Sequence, residues 1–113
     1  FVKDTCNGFL QIEKADTLIG EVTNIGTNTE ISVYKLVNLI MRIMNIEINI
    51  TSSNERIRPK KSEVDRLVCD NSKLKKHTSW EQQYSLEMGL NNVINWMKNP
   101  ENLNMFKTDQ YNV

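Results

Sequence analysis

A change of hydrophobic period between residues 31 and 51 constrains the fold more than any other feature of the chain. Val33, Leu36, Val37, Ile40 and Met44 recur at the spacing of one helix face. Ser32 stands before them as an N-cap, and Ile31 and Leu36 have the spacing of a hydrophobic staple. Leu39, Met41 and Ile43 widen the stripe, which predicts a helix buried on more than one side. Directly after it the period becomes two. Ile46, Ile48 and Ile50 alternate with Glu47, Asn49 and Thr51, the pattern of a strand with one buried face.

The same vocabulary extends along the chain. Residues 4 to about 16 read as a helix with Asp4 as N-cap and Cys6, Phe9, Leu10 and Ala15 as its apolar stripe, although Gly8 within it costs helix stability. Glu21 to Ile25 is a short strand candidate closed by Gly26, and Ser52 to Pro59 is a loop. Leu67, Val68 and Cys69 read as a third strand, and Asp70 as the cap of a short helix carrying Lys73, Leu74 and His77. Trp80 follows as a large apolar anchor. Ser85 caps a last helix with the stripe Leu86, Leu90, Val93, Ile94 and Met97, which Asn99-Pro100 ends. Short strands joined by helices predict an α/β fold, a small, mainly parallel sheet with helices packed against it. Residues 1–99 are expected to form one domain, and 100–113 a loosely ordered tail unless Phe106 and Tyr111 dock on a neighbour.

Composition excludes several function classes. Fourteen basic and fourteen acidic side chains give the 113 residues a formal net charge of zero, so no global field draws in nucleic acid or an anionic membrane. No apolar run approaches the roughly 20 residues of a membrane span, and the N-terminus lacks a secretory pattern, so a cytoplasmic protein is expected. Cys6 and Cys69 sit in apolar patterns and read as buried, reduced core residues. With His77 they fit no zinc-ligand spacing. The methionines read as core filling rather than as metal or haem ligands.

The stretch Arg58 to Lys73, RPKKSEVDRLVCDNSK, is the strongest candidate for chemistry. A guanidinium in a proline-stiffened loop ahead of an apolar run and a helix is placed to grip an anion, phosphate first. The run resembles the C-terminal segment of extended short-chain dehydrogenases acting on nucleotide sugars, the NAD-dependent epimerase/dehydratase family. It is closest in form to the GDP-mannose and UDP-N-acetylglucosamine 4,6-dehydratases, in which Arg-Pro, Glu-Val, Asp and Ser/Thr-Lys recur in this order. Phe1-Val2-Lys3-Asp4 is similar to the family's Tyr-Val-x-Asp, Gly20 to Gly26 to its Gly-x-x-x-Asn-Ile-Gly, and Ser85 to Leu90 to its Ser-Leu-Glu-Glu-Gly-Leu. The chain departs from the family at Thr78-Ser79-Trp80, where Leu-Gly-Trp is usual, at Gln82, where proline is usual, and in an Arg-Pro to Glu-Val spacing two residues longer than in the GDP-mannose enzymes.

The resemblance implies that Arg58 pairs with the nucleotide diphosphate, where its planar fork can make two charge-assisted hydrogen bonds. It implies that Glu63 accepts from the nucleotide ribose. From residue chemistry alone both read as solvated loop charges, as Arg56, Lys60 and Lys61 do. An NAD(P) enzyme of this family needs a glycine-rich turn and a Tyr-x-x-x-Lys pair. Neither Gly8, Gly20, Gly26 and Gly89 nor Tyr34, Tyr84 and Tyr111 supplies them. The expected function is therefore the substrate-binding C-terminal part of a nucleotide-sugar 4,6-dehydratase, UDP- or GDP-linked. Catalysis and NAD would be left to an N-terminal Rossmann half, in a parent that the family implies is a homodimer. In such a parent a hydride leaves C4 of the sugar, water leaves across C5 and C6, and the hydride returns to C6. A 4-epimerase of the same family, and a stand-alone nucleotide- or partner-binding module, are the alternatives. A nucleic-acid domain is disfavoured, because no aromatic residue alternates with the basic cluster.

Overall fold

The computed structural model describes residues 1–51, 64 and 66–106. Among the described residues five helices follow in order: α1 (Val2–Glu13), α2 (Val33–Met44), α3 (Ser72–His77), α4 (Leu86–Met97) and α5 (Pro100–Leu103), with a 3₁₀ turn at Asp16–Leu18 after α1. Among the described residues there is no strand. The expected parallel sheet is therefore corrected to an all-helical architecture with irregular connections among the described residues.

A period-two pattern only biases a backbone towards extension; a strand also needs a neighbour to receive its N–H and C=O groups. Ile46, Ile48 and Ile50 have no such neighbour among the described residues, and at 41, 57 and 55 % exposed they bury no face. In the 21–26 segment, the carbonyls of Val22 and Gly26 accept from the side chains of Lys73 and Asn71, where a sheet would use backbone N–H groups.

The helix caps follow from local chemistry. Ser32 Oγ accepts from the Lys35 N–H at 3.3 Å, and Ser85 Oγ from the Met88 N–H at 3.1 Å. Asn45 ends α2 in the left-handed region, at φ 53° and ψ 48°, a conformation that asparagine tolerates better than most residues. Asn99 caps α5, its side chain accepting from the Glu101 N–H, with Pro100 at the first helical position. α2 packs chiefly on α4, and α4 on α5. No residue of α2 is fully buried, so the expected burial on several sides is not met.

The core lies elsewhere, at Leu18, Leu74 and Trp80. Two polar residues are buried with it, Asp4 and Asn71. The Asp4 carbonyl accepts from Trp80 Nε1 at 2.9 Å, while its carboxylate accepts the N–H groups of Gln83 and Tyr84 at 2.9 and 3.2 Å. Asp4 thus sits inside α1, whose N-cap is Phe1. The Phe1 ring packs on Tyr84, with centroids 4.8 Å apart. The buried face of α1 is Asp4 and Gly8, because a glycine lets the helix approach Ile25. A Cβ at Gly8 would meet Ile25 Cγ2 at 2.7 Å. The expected stripe of Cys6, Phe9 and Leu10 faces outward instead. Both cysteines are free, Cys6 exposed and Cys69 half-buried, so the reading of Cys6 as a core residue is corrected.

Among the described residues no helix is long and apolar enough to cross a membrane, and no three His, Cys, Asp or Glu side chains are grouped to hold a metal ion.

Candidate functional site

Glu21–Glu30 and Arg66–Lys73 run past each other in opposite directions. Lys73 Nζ lies 2.8 Å from Glu21 Oε2 and donates to the Val22 carbonyl at 3.0 Å. Asn24 Nδ2 reaches the Asp70 carbonyl at 3.5 Å, and the buried Asn71 donates Nδ2–H to the Gly26 carbonyl at 2.6 Å. At the far end Arg66 forks onto Glu30, Nε to Oε2 at 2.9 Å and Nη2 to Oε1 at 2.5 Å. From Glu21 to Glu30 the partner falls from Lys73 to Arg66, and an ion pair closes each end. The result is a two-segment ribbon held by side chains.

Its centre is tight. A Cβ at Gly26 would stand 2.6 Å from Cys69 Sγ, so only glycine lets the two backbones come this close. The N-cap of α3 is Asn71, one place after the expected Asp70, whose Oδ1 accepts from the Ser72 N–H at 2.9 Å. That bond holds the Asp70 carboxyl below its ordinary value. The hydrogen bond and charge of Lys73 do the same for Glu21. The fork onto Glu30 holds the Arg66 guanidinium above its own already high value.

Two concavities flank the ribbon. A cleft of about 290 Å³ is lined by Phe1, Thr5, Ile25, Thr27, Leu67 and Cys69, among others. A groove at the far end is lined by Glu30, Ser32, Lys35, Val64, Arg66 and Leu67. With Arg66 taken up by Glu30, Lys35 and the Ser32 hydroxyl are left to meet an anion's oxygens, and the apolar residues can cover a ring or a methylene.

Arg58 and Glu63, the two site residues predicted from sequence, lie outside the described residues. The described residues nearest to them in the chain after the loop, Val64 and Arg66, both line the groove. His77 bonds through Nδ1 to Thr17 Oγ1 at 3.0 Å, a contact that ties α3 to the 3₁₀ turn. Glu30 and Arg66 were not legible as a pair, being 36 residues apart with no local pattern linking them. The glycines do not fit a dinucleotide turn. Gly8, Gly26 and Gly89 are packed against Ile25, Cys69 and Phe1, and Gly20 forms a turn at φ +76°.

The model of the GDP-mannose 4,6 dehydratase family matches residues 1–93. The chain belongs to that family. Both segments of the ribbon lie inside the matched range, as do Arg58 and Glu63. Among curated relatives, the chain is 34 % identical over 79 residues to a protein of Methanocaldococcus jannaschii named "Putative UDP-glucose 4-epimerase", covering 70 % of this chain and 24 % of the relative. It is 30 % identical over 89 residues to a UDP-glucuronate 4-epimerase of Thermodesulfobacterium geofontis, covering 78 % of this chain and 26 % of the relative. The chain thus spans about a quarter of the length of the curated relatives it matches. No solved structure matches it.

Proposed function

We propose that this chain is the substrate-binding C-terminal part of an NAD(P)-dependent nucleotide-sugar 4,6-dehydratase. Arg58 grips the nucleotide diphosphate and Glu63 accepts from the ribose hydroxyls. The observation that carries the reading is the run from Arg58-Pro59 through Glu63-Val64 to Asp70-Asn71-Ser72-Lys73, inside a family match over residues 1–93. The ribbon supports it physically. Through Asn71, Asp70 and Lys73 the end of that run is fastened to the 21–26 segment, giving a rigid base from which the preceding residues can act. The dinucleotide turn and the tyrosine-lysine pair of such an enzyme belong to a Rossmann half that this sequence does not contain, and the fragment alone transfers no hydride.

A second reading, the same part of a 4-epimerase, is favoured by the names of both curated relatives. One experiment separates the two. The enzyme carrying this segment is incubated with UDP- and GDP-linked hexoses and the products are read by NMR. A 4-keto-6-deoxy sugar supports the dehydratase, and inversion at C4 with the C6 hydroxyl retained supports the epimerase. Absence of turnover, together with absence of binding to either nucleotide sugar, contradicts both.

A further inference from the structure

We infer that the outer face of α1 is a seam, the surface on which the rest of the enzyme's polypeptide packs. The inference rests on the reading above in one respect, that this segment belongs to a longer chain.

Two faces of α1 are built for packing. One holds Asp4 and Gly8, four residues apart and both buried, where a Cβ in place of the glycine hydrogen would meet Ile25 Cγ2 at 2.7 Å. Val2, Cys6 and Leu10 recur at i, i+4 and i+8, with Phe9 beside them at i+7, which places all four on the opposite side of the helix. Val2 and Phe9 are 64 % exposed and Leu10 60 %, and Cys6 is exposed with them. Single apolar side chains scattered over a surface are ordinary, but a stripe at helical spacing is what a helix turns towards a packing partner. The stripe meets no charge before Glu13, and the neighbouring Lys3 sets its ammonium over the Tyr84 ring, 5.8 Å from the centroid. The surface that fits it is therefore apolar too.

The curated relatives say where such a surface can come from. The matches cover 24 and 26 % of them, so roughly three quarters of each relative lies outside the matched stretch. Chain that is covalently joined to this segment packs without the cost of a bimolecular encounter, and a seam between domains can bury as little as about 600 Å² in all. A second copy of the chain is the other possible occupant, and area decides against it. The stripe exposes on the order of 400 Å², whereas a stable complex buries roughly 800 Å² on each partner.

The test uses the full-length enzyme that carries this segment. The native enzyme is treated with N-ethylmaleimide, and Cys6 is followed by peptide mass spectrometry separately from Cys69. Cys6 should react about tenfold or more slowly in the native enzyme than in the denaturant-unfolded one, although it is exposed in this segment. Phe9→benzoylphenylalanine, a photoreactive side chain at the centre of the stripe, should cross-link on illumination to a peptide of the same polypeptide outside residues 1–113. Leu10→benzoylphenylalanine repeats the measurement if the Phe9 variant melts below the native enzyme. Alkylation of Cys6 at the unfolded rate overturns the inference. So does a cross-link that doubles the mass, which puts a second copy on the stripe, a cross-link that falls inside residues 1–113, or none at all. Neither readout needs substrate, so a failed seam leaves the Arg58 grip standing, and absence of nucleotide-sugar binding leaves the seam standing. A gene that encodes no further folded chain ends both.

Discussion

The indole N–H of Trp80 donates to the main-chain carbonyl of Asp4 at 2.9 Å, joining residues 76 positions apart in the buried centre of the molecule. The Asp4 side chain completes the join by accepting the N–H groups of Gln83 and Tyr84. A buried carboxylate here does the work of a cap for the 80–84 segment. It fixes that segment to the first turn of α1.

Asp4→Ala should therefore destabilise the protein by about 1–3 kcal/mol, since it leaves two backbone donors without a partner. Asp4→Asn, whose side-chain oxygen can still accept, should lose less. Denaturant unfolding of the two variants beside the native chain measures the difference, and equal losses would show that the accepted N–H groups are not what Asp4 contributes.

Gly26→Ala forces a methyl to within 2.6 Å of Cys69 Sγ at the tightest point of the ribbon. The expected cost is about 1–3 kcal/mol from overpacking. Trimming the opposing side chain in a Gly26→Ala, Cys69→Gly double variant should relieve part of it. Thermal melts of both variants read the coupling, and strict additivity would contradict the contact.

Acid should weaken the ribbon from one end. Glu21 is held below its ordinary value of 4.5 by Lys73, and Asp70 below its ordinary value of 3.8 by the Ser72 N–H. A carboxyl whose folded pKa is depressed contributes stability above its unfolded pKa, and that contribution is lost as pH falls through the folded value. Stability should accordingly decline below about pH 4.5. Glu21→Gln should flatten the upper part of that decline, because an amide does not titrate. Melting temperatures between pH 3 and 7 test it, and an identical slope in the variant would remove Glu21 from the account. Both groups are exposed, so added salt should shrink the Glu21 contribution.

What could be read from the sequence was what local chemistry decides. Ser32 and Ser85 cap their helices as expected, because each needs only a side-chain oxygen near a few N–H groups, whereas the N-cap of α3 is Asn71 and Asp70 accepts the Ser72 N–H from one place earlier. The strand candidates were legible as non-helical but not as unpaired. Alternation at Ile46, Ile48 and Ile50 says nothing about whether a neighbour exists. α1 misled for a related reason. Its bulky residues, Phe9 and Leu10, suggested the buried face, whereas close packing selected the glycine face and placed a carboxylate inside. The ribbon was invisible because its bonds join residues 36 to 52 apart in sequence. The site itself was legible only through the resemblance, since Arg58 and Glu63 follow no periodicity that marks them as more than solvated charges.

The measurement that tests the central claim most directly is the affinity of the enzyme carrying this segment for UDP- and GDP-linked sugars, native against Arg58→Ala. The account predicts binding of one nucleotide class, weakened about tenfold or more by the substitution, with an unchanged melting temperature. Equal affinity in the two proteins, or an Arg58→Ala variant that loses binding only because it unfolds, would contradict it.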